Sequence, residues 1–249
     1  QKNNASAGRA ARSYVGLTRC RLTAAYFAAF FAIGVCLASL GPILSALAAR
    51  SNTSIDGLGV FFVARSSGYM AGSIIGGIVF DRIARTHVPL LFGNLLCALG
   101  CAMLPSLRSA SALALVIVTQ GFCMGILDTG GNVLLIWLHG SGRVEPYMQS
   151  MHFFFALGAV ISPMAIELTV RASGSEDGFG AAFYGMATLL VLASAPLVGT
   201  SGPTPPAKLL KATSASSSSA HFAPTNSSTS STSSTSSSSS ASASAATSS

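Results

Sequence analysis

Six apolar stretches, at roughly residues 22–49, 57–80, 88–107, 110–138, 147–170 and 179–200, follow one another with only short polar breaks. A helix that crosses a bilayer needs about 20 mainly apolar residues, and each stretch supplies that many. Half of the 249 residues are hydrophobic and only 8% are charged, where a soluble domain carries about 25% charged residues. An ordinary water-soluble fold is excluded. Each stretch is continuously apolar rather than alternating over ten-residue segments, and lipid offers no partner for an unpaired backbone group. The sequence therefore predicts an all-α membrane protein of six transmembrane helices, not a β-barrel.

Charge placement sets the expected topology, because short cytoplasmic loops collect Lys and Arg. Lys2, Arg9, Arg12, Arg19 and Arg21 precede the first run, Arg82 and Arg85 follow the second, Arg143 the fourth, and Lys208 and Lys211 the sixth. The opposite loops receive Arg50, Arg108 and Arg171 together with Asp56, Glu176 and Asp177. Both ends of the chain are expected in the cytoplasm, in a multi-pass protein of the plasma membrane. The net charge of +7 then orients the protein against the lipid surface, and no nucleic-acid partner is implied.

Three segments follow: a cytoplasmic amino-terminal stretch over 1–21, the bundle over 22–200, and a Ser/Thr-rich tail or inter-domain linker over 201–249. The tail has no charged residue after Lys211 and almost no large apolar ones, so it is expected to be disordered. The first run ends in Ser45-Ala46-Leu47-Ala48-Ala49, which resembles a signal-peptide cleavage site. Its apolar length well exceeds the roughly 7–15 residues of a signal core, which favours a membrane helix. The opening Gln1 suggests a fragment or a processed product. Asn52-Thr53-Ser54 is a glycosylation sequon in the first outer loop, whereas those headed by Asn4 and Asn226 fall on the cytoplasmic side. Cys20, Cys36, Cys97, Cys101 and Cys123 all lie at or within apolar runs, which implies no disulfide framework. Cys97 and Cys101 share a helical face, but two thiols make a poor metal site, so no metal or other cofactor is expected.

Chemistry concentrates in three places. Between the second and third runs stands Gly77-Ile-Val-Phe-Asp81-Arg82-Ile-Ala-Arg85, where Gly77 would allow close helix approach and Asp81 would join a charge cluster with Arg82 and Arg85. In the fourth run Gln120, Met124, Asp128 and Asn132 step by four along one side of a helix. Asp128 lies near the middle of that run, where a charge costs at least about 2.5–3.5 kcal/mol, so it should face a bundle interior or a watery cavity. Arg65 in the second run is its candidate charge partner. The fifth run opens with Tyr147, Gln149 and His152, the last two one turn apart and able to face the same cavity, and continues to Gly158 and Pro163, read as packing or bending positions. Trp137 is read as an interfacial anchor.

The loop resembles the signature Gly-x-x-x-Asp-Arg-x-Gly-Arg-Arg/Lys of the major facilitator superfamily. It departs from the pattern at Ala84 and Thr86, where the family carries Gly and a second basic residue. Leu127-Asp128-Thr129-Gly130-Gly131-Asn132 followed by Tyr147-Met148-Gln149-Ser150-Met151-His152 is similar to the branch containing fucose permeases and sodium-dependent glucose transporters. The resemblance, over roughly 22–200, implies one six-helix half of that fold, built of 3+3 inverted repeats. It implies uptake of a small polar solute, a hexose, by alternating access coupled to sodium or protons. Asp128 would serve coupling, Asn132, Gln120 and Gln149 the solute, and Gly77, Asp81, Arg82 and Arg85 the gate. A second six-helix half or a second copy would complete the site.

Two other classes stand beside this reading. His139-Gly140-Ser141-Gly142 superficially resembles an oxyanion loop, but it falls in a connection and no buried Ser and His pair accompanies it, so an enzyme is not expected. A non-transporting scaffold or sensor on a transporter fold is the alternative, marked by partner binding without solute accumulation.

Overall fold

The computed structural model describes residues 2–52, 59–82, 87–140 and 144–203, with side chains from residue 16 onward except that of Glu176. The chain divides into two units, residues 1–207 and 208–249, and the second lies wholly outside the described residues. All regular structure among the described residues is helical. The helices are α1 (Lys2–Ala38), α2 (Leu44–Ser51), α3 (Gly59–Arg82), α4 (Val88–Met103), α5 (Ala110–His139), α6 (Glu145–Ser173) and α7 (Phe179–Ser194).

The boundaries follow local chemistry. Pro89 and Pro146 sit in the first turns of α4 and α6, where a missing N–H costs nothing. Pro105 and Pro196 lie in the single tight turns that end α4 and α7. Gly174 closes α6 in the left-handed region at φ 65°, which a side chain would strain. Before α7, the Ser175 side chain accepts from the Asp177 N–H and starts the turn over 176–178.

The first run is not one helix. Gly41-Pro42 interrupts it, so α1 ends at Ala38 and the eight-residue α2 follows as a separate piece. Pro42 cannot donate to a continuing ladder, which breaks the helix even though hydropathy stays high. At its other end α1 continues upstream through residues 2–21.

Five segments are long and apolar enough to cross a bilayer: 16–38, 88–106, 110–139, 145–173 and 179–197. At 24 residues α3 has the length, but Arg65, Ser66, Ser67, Ser73 and Asp81 dilute its apolar character. Its large apolar side chains Val63, Met70, Ile74, Ile75 and Ile78 nevertheless point outward.

Packing is pairwise. Helix α3 lies along α5, α1 lies along α6, and α4 packs against both α5 and α7, which also meets α1. Backbone contact without side chains locks the first two pairs. A Cβ at Gly68 or Gly72 would run into the α5 backbone at Val118 and Phe122, and one at Gly121 or Gly125 into the α3 backbone at Arg65 and Tyr69. The other pair repeats the device, with Gly34 against the Phe155 carbonyl and Gly158 against the Phe31 carbonyl. Such stripes of small residues bring membrane helices into van der Waals contact where burial from water gives no drive. Gly77, by contrast, has open space at its Cβ position, so close approach on α3 belongs to Gly68, Gly72 and Gly76.

The ends of the bundle carry polar clasps. At one, the buried His87 Nε2 lies 2.8 Å from the Tyr26 hydroxyl, while Nδ1 lies 3.1 Å from both the carbonyl oxygen and the hydroxyl of Thr200. At the other, Arg50 donates to Asp177 at 2.7 Å and to the Pro105 carbonyl, and stands 4.8 Å over the Phe179 ring. That guanidinium holds the exposed Asp177 carboxyl below its usual range. Trp137 is partly buried against the core.

Candidate functional site

The interlocked glycines of α3 and α5 set one wall of a cavity of about 430 Å³. Its polar lining is Arg65, Ser66, Tyr69, Asp128 and His152, contributed by α3, α5 and α6. Ile33, Leu37, Met124 and Phe155 supply apolar walls. A few convergent polar groups on an apolar lining, in a space of a few hundred Å³, is the usual make-up of a small-molecule site.

Asp128 is the centre of its hydrogen bonding. The Tyr69 hydroxyl donates to Asp128 Oδ2 at 2.6 Å, and Asn132 Nδ2 donates to Oδ1 at 3.2 Å and to the Asp128 backbone carbonyl at 2.8 Å. These neutral donors hold the carboxylate without cancelling its charge, leaving it able to meet a cation or a proton. Asn132 itself stands outside the cavity lining, and its Oδ1 is buried without a partner.

Arg65 shares the cavity wall but makes no ion pair with Asp128; among the described residues the ion pairs are Arg50–Asp177 and Arg171–Glu167. Its guanidinium instead donates to the Cys36 carbonyl at 2.6 Å and approaches Met124 Sδ at 3.7 Å, and its Nε has no partner. The expected charge pair is thus replaced by Tyr69 and Asn132 on one side and a backbone carbonyl on the other.

The remaining expected residues separate. His152 lines the cavity with its ring 5.9 Å from Phe30, edge to face. Gln149, one turn earlier, is exposed and outside the lining. Gln120 is buried but points elsewhere, donating from Nε2 to Cys101 Sγ at 3.3 Å. Steps of four drift by about 40° each at 3.6 residues per turn, so Gln120 and Asn132 stand about 120° apart on α5. Asp81 and Arg82 are exposed at the end of α3, while Arg85 lies outside the described residues. His139 is engaged with the Thr23 hydroxyl at 2.8 Å and stacked 3.6 Å from Tyr147, while Ser141 and Gly142 lie outside the described residues.

Two participants went unread in the sequence. Tyr69 stands four residues after Arg65 inside an apolar run, and that i, i+4 pair of polar residues was the available signal. Cys36 joins Cys97 and Cys101 in a buried group whose three sulfurs all lie within 4.8 Å of one another.

The sequence model of the Major Facilitator Superfamily matches residues 22–246. The chain belongs to the Major Facilitator Superfamily. Among curated relatives it is similar to sodium-dependent glucose transporter 1 of Danio rerio, 40% identical over 141 residues, which are 57% of this chain and 23% of that protein. The Rattus norvegicus protein of the same name is 40% identical over 151 residues, covering 60% of this chain and 31% of the relative. Major facilitator superfamily domain-containing protein 4A of Pongo abelii is 32% identical over 151 residues, covering 60% and 29%. The matched segments thus span less than a third of these relatives. A solved structure of tetrameric PepTSo2 superimposes with a TM-score of 0.59 at 16% identity, covering 81% of this chain and 47% of that one. A peptide transporter in complex with sulfate gives 0.52 at 20%, covering 78% and 44%. At those identities the likeness speaks for the fold alone. The chain is an integral membrane protein of a transporter family, with relatives named as glucose transporters and no enzyme among those described.

Proposed function

We propose that this superfamily member contributes one half of a secondary active transporter that moves a hexose by alternating access, coupled to sodium or protons. The observation that carries the reading is the unpaired Asp128 carboxylate, held by Tyr69 and Asn132 on the wall of a cavity of about 430 Å³. A carboxylate at membrane depth is costly, and coupling to a cation is the use that offsets the cost. The Tyr69 hydroxyl, Ser66 and His152 on the cavity wall offer the donors and acceptors that sugar hydroxyls need, with Asn132 reaching the site through its bond to Asp128. The relatives named as sodium-dependent glucose transporters support both solute and coupling.

In this reading α1, α3, α4, α5, α6 and α7 each cross the membrane, with both ends of the chain in the cytoplasm of a plasma-membrane protein. Exchanging α1 with α5, α3 with α6 and α4 with α7 converts the α3–α5 pairing into α6–α1 and the α4–α5 pairing into α7–α1, which supports 3+3 inverted repeats. A second six-helix half, or a second copy, closes the open side of the cavity. Asp81 and Arg82, with Arg85, latch one gate state against it, and the open face at Gly77 gives that partner room to approach.

The test is counterflow of labelled solutes in vesicles carrying the longest reading frame that contains this chain, under imposed sodium or proton gradients. The reading expects gradient-dependent exchange of a hexose and none of a dipeptide. Exchange of the dipeptide alone, or hexose exchange indifferent to both gradients, overturns it.

A further inference from the structure

Three sulfurs meet beside the cavity. Cys36 comes from α1 and Cys97 and Cys101 from successive turns of α4, all three buried to 2% exposure or less. Cys36 Sγ and Cys101 Sγ are 3.7 Å apart, and all three sulfurs lie within 4.8 Å of one another. A metal–sulfur bond of about 2.3 Å places sulfurs about 4 Å apart around a trigonal ion, close to the spacing present. Three thiols brought together from two helices also differ from a lone buried cysteine, which serves as a small apolar filler.

The surroundings suit a cation that draws thiolates. Gln120 Nε2 donates to Cys101 Sγ at 3.3 Å, a bond that strengthens once the sulfur is ionised. The buried Arg65 is anchored to the Cys36 carbonyl, and its Nε is left without a partner. Met124 Sδ, in contact with the same guanidinium, adds a thioether nearby. Arg65 and Met124 both line the cavity as well. On α4, Asn94 lies three residues before Cys97, is fully buried and has neither amide atom partnered.

We propose that Cys36, Cys97 and Cys101 form a binding site for a soft monovalent cation of the Cu(I) class. Thiolate and thioether donors select such ions over hard ones. Cu(I) accepts two or three sulfurs and needs no water to complete its shell. Zn(II) structural sites want four ligands, whereas three thiols converge here among the described residues. Two thiols surrender their protons to solvent as the ion binds, the third sulfur stays protonated, and no electron is transferred. Cu(I) with two thiolates carries one negative charge, which the Arg65 guanidinium offsets. The site joins α1 to α4, two helices that otherwise meet mainly through their neighbours α5 and α7.

The test uses the full chain purified anaerobically in detergent, with the exposed Cys20 replaced by Ser to remove adventitious binding. Cu(I) is supplied in equilibrium with a chromogenic chelator. One equivalent is expected to stay with the protein, Cys101→Ser should weaken retention at least 100-fold, and Cys123→Ser, at a buried thiol outside the trio, should leave it unchanged. X-ray absorption of the loaded Cys20→Ser protein should show a two- or three-coordinate shell of sulfur alone, a readout that stands if Cys101→Ser fails to fold. No retained copper, retention insensitive to Cys101, or a shell containing nitrogen or oxygen overturns the proposal.

Discussion

Replacing Gly72 by Ala probes the contact on which the cavity wall depends. A Cβ there would lie 2.8 Å from the Phe122 carbonyl carbon and 2.9 Å from its Cα, with the carbonyl oxygen closer still. Real Cβ atoms essentially never come within 3.0 Å of a heavy atom on a neighbouring helix, and these are backbone atoms that no rotamer change can move aside. Helices α3 and α5 must therefore part or rotate, carrying Tyr69 away from Asp128. Overpacking of this kind costs about 1–3 kcal/mol. Gly→Ala inside a helix returns about 0.5–1 kcal/mol through propensity, which does not cover the loss. Gly77→Ala supplies the control, since nothing lies within 4 Å of its Cβ position and only the propensity gain remains. Thermal unfolding of the two variants in the same detergent should place Gly72→Ala below the parent and Gly77→Ala level with it or above. Equal melting of all three, or a loss at Gly77 as large as at Gly72, refutes the backbone interlock.

Three further outcomes follow from the clasps and the loops. His87 is buried between Tyr26 and Thr200, and burial lowers its pKa. The folded state then binds fewer protons than the unfolded chain as pH falls through about 6.5. Stability should drop on acidification through that point, and His87→Gln should flatten the dependence of melting temperature on pH. Asp177 is held low by Arg50, so its contribution is present above the usual carboxylate pKa and lost as pH falls through the folded value. Arg50→Ala should lower the melting temperature more than Asp177→Asn, because Arg50 also holds the Pro105 carbonyl and packs on Phe179. In microsomes, Asn52→Gln should abolish a glycan-dependent shift in gel mobility; its persistence would place the first loop on the other side.

The helical class and the position of most spans were legible because membrane helices are written in composition, one run at a time. The break at Gly41-Pro42 was also written there, but uninterrupted hydropathy concealed it. Asp128 was legible through its cost in lipid, whereas Tyr69, its hydrogen-bond partner, reads as an ordinary aromatic of a membrane run until α3 is laid on α5. Within this chain the close approaches on α3 fall at Gly68 and Gly72 and not at Gly77, because which glycine face meets a neighbour depends on helix rotation, and that is decided by the partner. Gln120 shared a spacing with Asp128 but not a face, since four residues overshoot a turn. Cys97 and Cys101 share a helical face in the sequence, but nothing local ties Cys36 to them: 61 residues separate Cys36 from Cys97, and only the packing of α1 near α4 joins them.

The central claim is that Asp128 couples solute movement to a cation, and gradient-driven accumulation measures this most directly. Vesicles carrying the longest reading frame that contains this chain, loaded with an inward sodium or proton gradient, should concentrate labelled glucose above the external level. Asp128→Asn keeps the size of the side chain and a group able to accept from Tyr69 but removes the charge. It should abolish accumulation while leaving downhill exchange measurable. Accumulation by Asp128→Asn equal to that of the parent would contradict the account.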